Sequence, residues 1–96
     1  MTKQFVRIGF DVSTQYEGFP PRYRVFVNGE LFSERPYYAL PHEHYHEMLQ
    51  ISAESGEYTV QFEPLDGAEF EVGPVKVLFG PAAATEKNKF RILSQR

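Results

Sequence analysis

Arg22-Tyr23-Arg24-Val25-Phe26-Val27-Asn28-Gly29-Glu30-Leu31-Phe32-Ser33-Glu34-Arg35 is the stretch that decides the fold. Asn28-Gly29 stands between two runs rich in β-branched and aromatic residues. Both residues accept the positive φ of a type I′ turn, whose twist matches that of paired strands. A two-residue loop then pairs Val27 with Glu30, Phe26 with Leu31, Val25 with Phe32 and Arg24 with Ser33. The pairs Val25–Phe32 and Phe26–Leu31 point to opposite faces, so this hairpin carries apolar surface on both sides.

Working outward, the period of two persists. Val6, Ile8, Phe10 and Val12 alternate with Arg7, Gly9 and Asp11, the pattern of a half-buried strand. Tyr16–Pro21 reads as a loop because Pro20-Pro21 cannot donate to a ladder. Pro36–Pro41 reads as another loop. Leu49, Ile51 and Ala53 alternate as a strand, while Pro41 could open a short helix through His46. Ser55-Gly56 is a turn, and Tyr58, Val60 and Phe62 form the inward face of the next strand. These two runs should pair as a second hairpin. Pro64–Gly67 is a turn. Phe70 and Val72 begin a strand that Val75, Val77 and Phe79 continue. The parity slips by one across Gly73-Pro74, which predicts a bulge on an edge strand. Gly80–Asn88 reads as a loop, and Phe90 and Ile92 close with a last strand. The expectation is all-β: one domain over 1–96, a small antiparallel β-sandwich or jelly-roll-like barrel of six to eight strands. Its core should contain Val6, Ile8, Phe10, Val25, Leu49, Ile51, Tyr58, Val60, Phe62, Val77, Phe79, Phe90 and Ile92.

Composition narrows the functions. The 96 residues are 42% hydrophobic and 24% charged, enough to build a core. No Cys is present, which excludes a disulfide framework, a thiolate metal site and a cysteine nucleophile. A net charge of −3 speaks against binding nucleic acid by phosphate neutralisation. The basic end Lys87, Lys89, Arg91 and Arg96 reads as a solvated strand face. No apolar run approaches the roughly 20 residues that span a bilayer. Met1-Thr2-Lys3-Gln4-Phe5 has no apolar signal core, so synthesis in the cytoplasm without an export signal is expected.

The densest group of chemical side chains is Leu40-Pro41-His42-Glu43-His44-Tyr45-His46-Glu47, which holds all three histidines. His42-Glu43-His44-Tyr45-His46 fits H-E-x-x-H. On a helix, His42 and His46 would bind zinc and Glu43 would serve as general base. A third protein ligand is missing from the pattern. In an extended segment His42, His44 and His46 share one face, and two of them with a carboxylate would suit a metal without catalysis. The simplest reading is a solvated segment, with the three histidines outward beside Met48 and Gln50. No nucleophile elbow or Gly-rich phosphate loop occurs. A glycan site remains: Tyr16, Phe19, Tyr37 and Tyr38 sit in predicted loops and could stack on a pyranose ring. Trp is absent, and the only two Asp, Asp11 and Asp66, are too far apart in sequence for a calcium cluster.

The Arg22–Arg35 run resembles small, uncharacterised all-β proteins of tailed phages that infect marine cyanobacteria. So do Met48-Leu-Gln-Ile-Ser-Ala53, Gly56-Glu-Tyr-Thr-Val60 and Lys89-Phe-Arg-Ile92. Val27-Asn-Gly-Glu-Leu-Phe32 is the most specific element, and similar phrases occur in carbohydrate-binding β-sandwich modules. The resemblance implies a phage accessory or virion protein, located in the particle, and it assigns no catalytic residue.

Outward positions are unusually apolar. Phe5 lies out of phase with Val6 and Ile8, Leu78 with Val77 and Phe79, and Leu93 with Ile92. With Tyr37 and Tyr38 in a loop, these residues are the candidate contact surface. The sequence therefore reads as a non-catalytic protein that needs no cofactor or metal. It would touch itself or other phage structural proteins, neither nucleic acid nor membrane, with glycan binding as the alternative.

Overall fold

The computed structural model describes residues 3–41 and 43–93, and nine strands run through them. They are β1 (Lys3–Thr14), β2 (Arg22–Val27), β3 (Glu30–Pro36), β4 (Tyr45–Glu54), β5 (Gly56–Pro64), β6 (Phe70–Val72), β7 (Lys76–Phe79), β8 (Ala82–Glu86) and β9 (Lys89–Ile92). Sheet A has the order β4-β1-β6, with β7 also paired to β1; sheet B has the order β3-β2-β5-β9-β8. All pairings are antiparallel, and the two sheets form a small β-sandwich.

Alternation on β1 explains sheet A. Val6, Ile8, Phe10 and Val12 are all buried, and they face Val25, Val60, Phe90 and Ile92 of sheet B in one core. Aromatic edges fill the gap: Phe10 meets Phe62 at 5.2 Å between ring centroids, and Tyr23 meets Phe70 at 5.2 Å. Asn28 and Gly29 take φ of 51° and 82°, as the hairpin turn requires.

Several local expectations are corrected. The β4 and β5 runs do not form a hairpin: β4 pairs with β1, and β5 pairs with β2 and β9. The chain crosses between sheets at Ser55-Gly56, because both strands bury one face and alternation alone does not say whether they lie side by side or opposite. Among the described residues no helix follows Pro41, and Tyr45–Glu54 is strand. Gly80–Asn88 holds β8, so one strand was missed there. The break at Gly73-Pro74 splits one expected strand into β6 and β7, both on an edge against β1, and the Gly73 amide donates to the Asp11 carbonyl at 2.8 Å.

Three strand pairs carry a register shift, in β3, β7 and β8, and the first two change which large apolar side chains face outward. On the hairpin, Phe26 pairs with Leu31 as expected, but Val25 pairs with Ser33, leaving Phe32 as the extra residue. On β7, Ile8 pairs with Val77 and Arg7 with Phe79, leaving Leu78 extra. Each insertion resets the parity of the strand. Phe79 was expected in the core; the bulge turns it out beside Leu78, and it is 55% exposed. Val77 is only half-buried, and Val75 takes the core position instead.

Two glycines differ instructively. At Gly29, φ is +82° but the space around it is open; at Gly80, φ is +99° and a Cβ would sit 2.4 Å from the Phe5 carbonyl oxygen. Gly29→Val is expected to cost about 1–2 kcal/mol through left-handed strain. Gly80→Ala should cost more, since strain and backbone overlap add. Urea unfolding of the two variants checks that order.

Candidate functional site

The outer face of sheet A is built by the residues of β1 that alternate with the core. Phe5, Arg7, Gly9 and Asp11 point outward, and β4 sets Ser52, Gln50, Met48 and His46 opposite them. On the other side β7 brings Lys76 beside Gly9 and Phe79 beside Arg7. The bulged Leu78 lies over Gly9, where its Cδ1 is 2.9 Å from the place a Cβ would occupy. Gly9 is thus the floor of a shallow cavity of about 330 Å³ walled by Met48, Leu78 and Lys76.

Along this face an apolar region grades into a charged one. Phe5 and Phe79 are 5.9 Å apart, and the Arg7 guanidinium carbon lies 5.6 Å from each ring centroid. This is cation–π geometry. Arg7 makes no ion pair among the described residues, and its Nε is buried without a hydrogen-bond partner. Phe5, Met48, Leu78 and Phe79 are each between 42% and 55% exposed. At the other end Asp11 accepts from Lys76 Nζ at 2.9 Å and meets His46 Nδ1 at 2.5 Å. The Lys76 hydrogen bond, then that of His46, holds the Asp11 carboxyl below its ordinary range.

The inner face of β4 carries a group that sequence reading missed. Glu47 shares the parity of Leu49 and Ile51 and is fully buried. The Tyr23 hydroxyl of β2 donates to its Oε2, and Arg35 Nη1 of β3 lies 3.3 Å from its Oε1. Burial, then the hydrogen bond to Glu47, pushes the Tyr23 hydroxyl far above the ordinary tyrosine range. The signal was present: if the histidines at 44 and 46 face out, residue 47 faces in.

The histidine segment does not assemble as H-E-x-x-H chemistry needs. His46 lies in strand β4 and binds Asp11, His44 is exposed, and His42 falls outside the described residues. The Glu43 carboxylate accepts from the Leu40 amide at 3.1 Å, closing a local turn. Among the described residues no three His, Asp or Glu side chains converge as a metal site.

The loop aromatics divide. Tyr37, expected on the surface, is 1% exposed, and its hydroxyl lies within hydrogen-bond reach of the Val12 and Glu43 carbonyls. Tyr16 donates to the Ala39 carbonyl at 2.9 Å and packs edge-on against Tyr37. Phe19 and Tyr38 remain exposed, at 94% and 64%. Leu93 is exposed too; its amide binds the Pro81 carbonyl, next to Gly80 and the Phe5 backbone. At the basic end Lys89 pairs with Glu86 and Arg91 with Glu57, while Arg96 falls outside the described residues.

Two outcomes follow from the charged groups. Tyr23→Phe should lower stability by about 1–3 kcal/mol in urea unfolding, because a buried carboxylate loses its donor. Asp11 has a folded pKa below its unfolded value, so its ion pairs stabilise above about pH 4 and fade as pH falls through the folded value. The stability gap between the native protein and Asp11→Asn should therefore shrink from pH 7 to pH 3. The chain matches no protein-family model, no curated protein and no solved structure.

Proposed function

We propose that the protein is a non-catalytic β-sandwich that works by protein–protein contact, its first partner being a second copy of itself. The observation that carries this reading is the outer face of sheet A. Phe5, Met48, Leu78 and Phe79, about half exposed, meet around Arg7 and Gly9. At about half exposure four such side chains present roughly 400 Å² of apolar surface, within the range where patches on monomers are often functional. Burying it is worth roughly 10 kcal/mol before the cost of association. The groups that would otherwise suggest catalysis are committed to structure: Glu47 and Tyr23 in the core, Asp66 to Arg22, Asp11 to Lys76 and His46. The resemblance to small phage proteins supports reading such a contact as one within a virus particle, with other particle proteins as further partners.

A glycan-binding role is the second reading, supported by Phe19, Tyr38 and Leu40, all exposed in the two loops that the Tyr16–Ala39 hydrogen bond joins. A cavity beside them is lined by Gln15, Tyr16, Glu17, Leu40 and Pro41.

Sedimentation equilibrium at high micromolar concentration should show assembly, and Leu78→Asp should shift it to monomer with an unchanged circular dichroism spectrum. A native protein that stays monomeric and does not co-sediment with phage particles overturns the contact reading. Glycan-array binding that Tyr38→Ala abolishes would then favour the second.

A further inference from the structure

Resting on that self-contact reading, we propose that the contact is head to tail. The outer face of sheet A receives the hairpin tip Glu30-Leu31-Phe32 of the next copy. This tip is the second place where a bulge exposes apolar side chains: Leu31 is 59% exposed and Phe32 42%. Leu31 pairs with Phe26, whose parity is opposite to the buried Val25, so it stands on the outside of sheet B. The receiving face stands on the outside of sheet A. The two surfaces therefore point away from each other on one molecule.

Charge selects this pairing over a symmetric one. Glu30 is exposed and makes no ion pair among the described residues, whereas Glu34 on the same strand is held by Arg22 and Arg24. Arg7 is the opposite case, a cation between two phenyl rings with no carboxylate beside it among the described residues. A twofold contact that buries Phe5 and Phe79 against their own copies brings two Arg7 guanidiniums together, which is repulsive. The hairpin tip instead supplies one carboxylate for Arg7 and two apolar side chains for the Gly9 floor and its Met48 and Leu78 walls. Such a contact is heterologous, so it repeats from copy to copy and closes as a ring or extends as a filament.

The test is complementation, read by sedimentation velocity. Leu31→Asp and Leu78→Asp should each be monomeric alone. Mixed in equal amounts they should form a dimer and nothing larger, since one variant keeps the face and the other keeps the tip. Arg7→Glu and Glu30→Arg should each weaken assembly about tenfold, and the double variant should recover most of that loss. Met48→Asp replaces Leu78→Asp if circular dichroism shows the latter unfolded. Assembly of Leu31→Asp at native strength, or a mixture that stays monomeric while the native protein assembles, overturns the head-to-tail contact but leaves self-contact standing. A monomeric native protein removes both.

Discussion

Everything in sheet A depends on the strict alternation of β1. β4, β6 and β7 are hydrogen-bonded in that sheet through β1 alone. Its inward row Val6, Ile8, Phe10 and Val12 also supplies much of the core. A one-residue slip in β1 would exchange that row for Phe5, Arg7, Gly9 and Asp11, burying two charges and a bare backbone. The register of β1 is thus fixed by hydrophobic burial, and any mismatch in length or parity must be absorbed by its neighbours. The bulge at Leu78 and the break at Gly73-Pro74 both lie on the edge side, where an irregular ladder loses fewest hydrogen bonds.

The polar group inside the sandwich fixes how the sheets face one another. Apolar side chains tolerate sliding, because burial is non-directional. Glu47 does not, since its carboxylate needs the Tyr23 hydroxyl from β2 and the Arg35 guanidinium from β3 at the same time. The buried Glu47 carboxylate and Tyr23 hydroxyl left unsatisfied would cost as much as several buried methyl groups gain. The net stability of such a cluster is small, and its consequence is positional: it ties the β4 edge of one sheet to the β2–β3 hairpin of the other. That hairpin therefore cannot drift relative to the face of sheet A.

The sequence was legible wherever a local rule acts alone. Alternation located the inward rows of β1, β4, β5 and β9, Asn28-Gly29 marked its turn, and Pro74 marked an edge. It was silent where two arrangements satisfy the same local rule. β4 and β5 each bury one face, and nothing local distinguishes pairing from stacking across the core. The bulged residues Phe32 and Leu78 are apolar and carry no turn-forming signature, so each slip shows only when partner strands are known. Tyr37 lies in an irregular segment yet is buried, because its ring packs on Tyr16 and Phe70 while its hydroxyl finds a carbonyl. Of the candidate contact residues, Phe5 and Leu78 were visible by parity. Arg7 and Met48 were legible as outward positions too, but their meeting with Phe79, expected in the core, was not, since it requires β4 and β7 to flank β1.

The same bulges that reconcile strand lengths also decide the surface. In a regular ladder Phe79 would follow Val77 toward the core, and Phe32 would oppose Val25. Inserting one residue in each strand puts consecutive apolar side chains outside, Leu78-Phe79 on one sheet and Leu31-Phe32 on the other. Neither pair has an apolar partner waiting within its own molecule's core; Arg7 lies beside the first and Glu30 beside the second, ions of opposite sign that make no ion pair among the described residues. On the self-contact we propose, the next copy would cover both pairs together with the charges beside them.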